Sequence, residues 1–191
     1  MFAIKKKYFL IIENTKDINL SNIKKYNKFI IIYRNSNNKE TLEDLLKFRK
    51  KCRLRLIKFF VANDMKLSIS LNSDGIYLSS HNKTYKSLNI IKNNFQIIGS
   101  AHNAFEISLK IKQGCSFILL SKLFPVDYDK KSHFLNIVKF NSFLFIKSKK
   151  LVPLGGIKIS NLNKLKCVNS QSFAIMSEIK KKPTKIISRL F

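Results

Sequence analysis

Short apolar runs separated by longer mixed stretches set the rhythm of this chain. The runs are Tyr8 to Ile12, Phe29 to Tyr33, Ile57 to Val61, Gly75 to Leu78, Gln96 to Gly99, Ser116 to Leu120, Leu151 to Leu154 and Ser172 to Ile175. They are dense in Ile, Phe, Leu and Val and do not alternate strictly, as expected of strands covered on both faces. Between them, Thr41 to Arg55 opens with Thr41, Glu43 and Asp44 and closes on a basic run, which matches the helix dipole at both ends. Ala101 to Lys112 repeats its apolar positions at near-helical spacing and stops at Gly114. Met65 to Leu71, Phe134 to Ile146 and Ser160 to Lys166 read as further helices, the second so apolar that broad packing is expected of it. Strand and helix in turn predict βαβ units and a parallel sheet.

The rhythm fits a compact (β/α)8 TIM barrel and, nearly as well, a doubly wound sheet. No linker, repeat or low-complexity block divides residues 1–191, so a single domain is expected. At 191 residues the chain is short for a barrel, which usually needs about 250, and strands, loops and helices must all be brief. The glycines stand at element ends: Gly75, Gly99, Gly114 and the pair Gly155-Gly156.

Charge complicates the picture. With 37 Lys+Arg against 11 Asp+Glu, the formal charge is +26. Such an excess invites polyanion binding, but it is nearly all Lys, spread along the chain, whereas Arg is the usual bidentate reader of bases and phosphates. A compositional habit, or attraction of small anionic substrates, accounts for it better than nucleic acid. Cys52, Cys115 and Cys167 are far apart and show no metal-ligand spacing; buried free thiols are expected. The apolar run at Tyr8 to Ile12 is too short for a signal peptide and no later stretch approaches a membrane span, so a cytoplasmic location without membrane contact is expected.

Three segments carry a resemblance. They are Asp74-Gly75-Ile76-Tyr77-Leu78-Ser79-Ser80; then Ile98-Gly99-Ser100-Ala101-His102-Asn103, leading through a helix to Gly114, Ser116 to Leu120 and Phe124-Pro125; and Val152-Pro153-Leu154-Gly155-Gly156-Ile157 with Asn161 beyond. In this order and spacing the chain resembles the thiamine-phosphate synthase and TenI family, from the Tyr8 strand to Ser177. The resemblance implies a (β/α)8 barrel that joins hydroxymethylpyrimidine diphosphate to a thiazole phosphate with Mg2+ and releases pyrophosphate. As the alternative, it implies a TenI-like thiazole tautomerase, or a phosphate-ligand binder without synthase activity.

Carried over residue by residue, the resemblance implies that Arg34, Asn63, Ser100, His102, Lys122 and Lys130 serve the chemistry. Asp64 becomes a metal ligand, with Asn82 at the second metal position. Gly155, Gly156, Met176 and Ser177 hold the thiazole phosphate. The match is uneven. Ile32 and Ser36 stand where the family has glutamine and lysine, Asn82 replaces a carboxylate, and Tyr77 replaces a histidine. The threonine-rich pyrophosphate loop becomes Phe124 to Lys131, with acids brought in. Mg2+ is therefore expected to bind weakly or not at all. The residues also allow plainer roles: Asp64 as the cap of the next helix, Asn63 as a turn former, His102 as a cap or packing residue, His81 and His133 as loop residues, and Gly155-Gly156 as a tight turn.

Overall fold

A computed structural model describes residues 6–23, 26–35, 40–84, 95–127, 133–147, 150–181 and 183–188. Eight parallel strands form one sheet: β1 (Lys7–Ile12), β2 (Phe29–Tyr33), β3 (Lys58–Ala62), β4 (Gly75–Leu78), β5 (Gln96–Ala101), β6 (Phe117–Ser121), β7 (Leu151–Leu154) and β8 (Ser172–Ile175). The hydrogen-bonded order is β7-β6-β5-β4-β3-β2-β1-β8. The sheet curls until β7 and β8 lie side by side. Among the described residues no ladder joins these two; Ser170 Oγ donates across the seam to Leu151 O at 2.9 Å. The result is a (β/α)8 barrel, and the doubly wound alternative is excluded.

The unbroken apolarity of the runs has a direct cause, because each strand buries both faces. Phe9, Ile11, Ile30, Ile32, Phe60, Tyr77, Ile98, Leu119, Val152 and Ala174 fill the barrel interior. Their neighbours Tyr8, Leu10, Ile31, Phe59, Ile76, Ile118 and Phe173 face outward into the layer under the helices. At the amino-terminal end of the strands Lys7 Nζ lies over the Phe117 ring, 5.0 Å from its centroid, and Lys58 Nζ donates to Gln96 Oε1 at 3.1 Å.

The helices are α1 (Leu42–Leu54), α2 (Met65–Ser70), α3 (Ala104–Lys112), α4 (Asn136–Ile146), α5 (Ser177–Lys181) and α6 (Pro183–Ser188). Thr41 caps α1, accepting from Asp44 N at 3.2 Å, and the helix turns Leu45, Phe48, Arg49 and Cys52 inward. The segment from Ser160 forms a 3-10 helix, Ile159–Cys167.

Three expectations need correction. Ala101 ends β5 rather than opening a helix; Asn103 caps α3 by accepting from Glu106 N at 2.9 Å, so the helix begins at Ala104. The apolar segment ending at Ile146 packs on one side only: α4 buries Phe140 and rests Ile137, Phe143 and Leu144 against the core, while Val138, Phe145 and Ile146 are exposed. Cys167 is exposed, whereas Cys52 and Cys115 are buried free thiols whose pKa values burial pushes up to about 12 and about 11. No helix among the described residues is long and apolar enough to cross a membrane.

Candidate functional site at the barrel mouth

Parallel strands bring all their carboxyl ends to one side of a barrel, where the loops can surround a ligand. Here that side holds a cavity of about 430 Å³ lined by residues from distant parts of the chain. Such a volume suits a small molecule.

The floor comes from β4 and β5. Tyr77 and Ser100 are both buried and point inward. Burial holds the Tyr77 phenol above its ordinary pKa range, against the opposing pull of a hydrogen bond with Ser100 and the charge of Arg34. Tyr77 therefore keeps its proton at neutral pH and can offer a hydrogen bond to a ligand. Arg34 follows β2 and borders the cavity. Lys122, after β6, does the same. Lys130 lies outside the described residues.

The far wall is built by the segments after β7 and β8. Gly155 and Gly156 both have positive φ, +91° and +68°. A Cβ on Gly156 would come within 2.4 Å of Phe124 O and 2.5 Å of Pro125 O, so the chain's own backbone already requires glycine there. Asn161 locks the turn, its Nδ2 donating to Gly156 O at 2.7 Å while its Oδ1 accepts from Lys158 N at 2.8 Å. Met176 and Ser177 line the same wall, as do Lys158, Glu178 and Lys181. Asp127, across the rim, accepts from Lys158 Nζ at 2.5 Å and Lys181 Nζ at 3.3 Å, and these bonds hold its carboxyl below the ordinary range.

His102 borders the cavity, but its backbone N and Nδ1 both meet Glu106 Oε2, at 2.7 and 3.1 Å, at the start of α3. Asn63 adopts a positive φ of 57° after β3, and its Oδ1 accepts from Ser79 N at 2.9 Å. It thereby fixes the loop that carries Ser79, Ser80 and His81 into the cavity wall. The same loop is held from below by Lys110, a buried lysine on α3. Lys110 Nζ donates to Ser79 O and Asn82 O, each at 2.7 Å, and to Gln113 Oε1 at 2.9 Å.

Asp64 and Asn82 do not border this cavity. Asp64 caps α2, its Oδ1 accepting from Leu67 N at 2.9 Å, and it faces a neighbouring hollow with Tyr33, Asn35 and Glu40. Asn82 Oδ1 accepts from Thr84 N and Oγ1, at 3.0 and 2.8 Å. A magnesium site needs hard oxygen donors, usually one or two carboxylates completed by water and substrate. At these two positions the chain offers one carboxylate, which gives Oδ1 to the cap of α2, and one neutral amide oxygen already engaged in a turn. Among the described residues no group of three His, Cys, Asp or Glu side chains could hold a metal.

Of the site residues expected from the sequence, Arg34, Ser100, His102, Lys122, Gly155, Gly156, Met176 and Ser177 line this one cavity. Lys158, Lys181 and Lys110 were not among the expected site residues, and Asp127 was noted only as an acid in the altered pyrophosphate loop. Lys110 left one trace: it stands three residues after the buried Ile107, on the helix face that packs inward.

Comparison with known proteins converges with this architecture. The sequence profile described as thiamine monophosphate synthase matches residues 15–179. Thiamine-phosphate synthase of Pelagibacter ubique (strain HTCC1062) is 29% identical over 151 residues, covering 75% of this chain and 72% of the relative. Thiamine-phosphate synthase of Prochlorococcus marinus (strain AS9601) is 26% identical over 149 residues, 77% of this chain but only 42% of the relative's length. Among solved structures, thiamine phosphate pyrophosphorylase from Pyrococcus furiosus superposes with a TM-score of 0.70 at 19% identity, over 98% of both chains. Phosphoribosyl anthranilate isomerase from Thermotoga maritima reaches the same TM-score at 13% identity over 96% of both, a likeness of fold alone.

Proposed function

The chain belongs to the thiamine monophosphate synthase family, and from that premise we propose that it is a thiamine-phosphate synthase-type transferase, joining hydroxymethylpyrimidine diphosphate to a thiazole phosphate with release of pyrophosphate. The observation that carries the proposal is the mouth cavity, where hydroxyls line the floor and cations and a glycine turn line the rim. In this reading the thiazole phosphate rests against Gly155, Gly156, Met176 and Ser177. The pyrimidine ring lies over Tyr77 and Ser100. Arg34 and Lys122 face the departing diphosphate and offset its growing negative charge, which is where fixed charge speeds such a transfer most. His102, tied to Glu106, positions the start of α3 rather than moving protons. Asn63 positions the Ser79 loop.

No step of this reading runs through a metal. The family's Mg2+ would meet Asp64 and Asn82 here, and their commitments to a helix cap and a turn support weak binding or none. The same observation favours a second reading, a TenI-like tautomerase or a binder that keeps the phosphate half of the site without the transfer.

Incubation of the purified protein with both substrates, with and without Mg2+, separates the two. Thiamine phosphate should form, and Asp64→Ala should leave its Mg2+ dependence unchanged while loosening α2 by about 1 kcal/mol through the lost cap. No product, together with Mg2+-independent binding of thiazole phosphate by calorimetry, would establish the second reading instead. Neither product nor binding would sink both.

A further inference from the structure

We propose that Asp127 is an internal competitor for the phosphate end of the mouth cavity, and that Lys158 and Lys181, which it holds, are the side chains that clamp the ligand's phosphate. The inference rests on the reading of this cavity as a phosphate-ligand site. Asp127 spans two ammonium groups from different parts of the chain, Oδ1 on Lys158 and Oδ2 on Lys181, at 2.5 and 3.3 Å. Lys158 follows the Gly155-Gly156 turn and has its backbone fixed by Asn161. Lys181 is the last residue of α5, which begins at Ser177. All three side chains border the cavity.

Two ammonium groups brought within reach of one carboxylate repel each other unless an anion lies between them. The chain supplies that anion itself, although it has only 11 acids against 37 basic residues. Folding does not demand the arrangement, because exposed ion pairs contribute little to stability, and the Asp127 and Lys181 side chains are 55% and 56% exposed. A phosphate monoester dianion carries more charge than a carboxylate and more acceptor oxygens, so it matches the two lysines better. It would take them over and release Asp127 outward. Glu178 adds a second carboxylate at the same end, its Oε2 accepting from Ile159 N at 3.4 Å. The two acids thus compete most effectively with weakly charged ligands and least with a dianion.

The test is calorimetric titration of inorganic phosphate and of thiazole phosphate, at constant ionic strength, into the parent protein and four variants. Asp127→Asn should tighten both ligands about three- to tenfold, and Lys158→Met and Lys181→Met should each weaken them about tenfold, the scale of one charge-assisted hydrogen bond. Glu43→Gln makes the same change in net charge on α1, where Glu43 pairs with Lys47, and should leave both affinities unchanged. Equal or weaker binding by Asp127→Asn, or a tightening that Glu43→Gln reproduces, overturns the proposal. Tighter inorganic phosphate with no thiazole phosphate binding in any variant keeps the competition and removes the functional reading. Parent binding of thiazole phosphate without the Asp127→Asn effect does the reverse.

Discussion

Gly75→Ala is expected to cost upward of about 3 kcal/mol. Gly75 opens β4, paired with Phe60 on one side and Gln96 on the other. A Cβ there would stand 1.9 Å from Gln96 O and 2.5 Å from Cε1 of the Phe60 ring. A side chain can swing away, but the Gln96 carbonyl belongs to the backbone of the adjoining strand and can yield only if the β4–β5 pairing shifts. That strain is a large share of the stability a single domain has in hand, about 5–15 kcal/mol. Urea titration followed by circular dichroism should show a midpoint far below the parent's, or too little folded protein to titrate. A parent-like midpoint would mean that the strands are spaced more widely at this level than described.

Lys110→Met should follow closely, with a loss of about 3 kcal/mol and a sharp weakening of thiazole-phosphate binding. Lys110 is fully buried, and its stem passes against Gly99. Burial pulls its amine below the ordinary pKa range. The ammonium is retained because three oxygens converge on it, from Ser79, Asn82 and Gln113. Methionine fills the volume but donates nothing, and each abandoned acceptor that stays dry carries a desolvation penalty of about 1–3 kcal/mol. Gln113 still reaches Asn82 O and Thr84 O, at 3.1 and 2.9 Å, so the loop is loosened rather than freed. Because Ser79, Ser80 and His81 wall the cavity, the change reaches the ligand. Thermal melts and calorimetry on the same preparation test both parts. A destabilised variant with full ligand affinity would show that the loop holds its shape without the lysine.

How much of this could be read from the chain follows from what each residue does. The strands were legible because burial on both faces leaves runs such as Phe29 to Tyr33 with no polar interruption. The helix ahead of Lys147 was misjudged because apolar content does not say which faces find partners: Phe140 does, Phe145 does not. Some motif residues turned out to serve the fold. Asp74, beside Gly75, accepts from Phe59 N at 2.7 Å and pairs with Arg49 at 3.1 Å, at the opposite end of β4 from the cavity. The rim lysines were hidden by their abundance, since in a chain with 37 basic residues only geometry distinguishes Lys158 and Lys181 from the rest. Asp127 was visible as an acid entering the loop, but its two partners lie 31 and 54 residues away.

The seam between β7 and β8 gives the mouth a mechanical meaning. Among the described residues seven interfaces around the ring are stitched by strand ladders, and the eighth is crossed by the hydrogen bond from Ser170 Oγ to Leu151 O. A phosphate seated between the Gly155-Gly156 turn and Ser177 would rivet that eighth interface from above, so that part of its affinity reports closure of the ring. Occupancy should then slow amide hydrogen exchange along both flanking strands, well beyond the residues the ligand touches, and protection confined to those residues would mean the circle is complete without it.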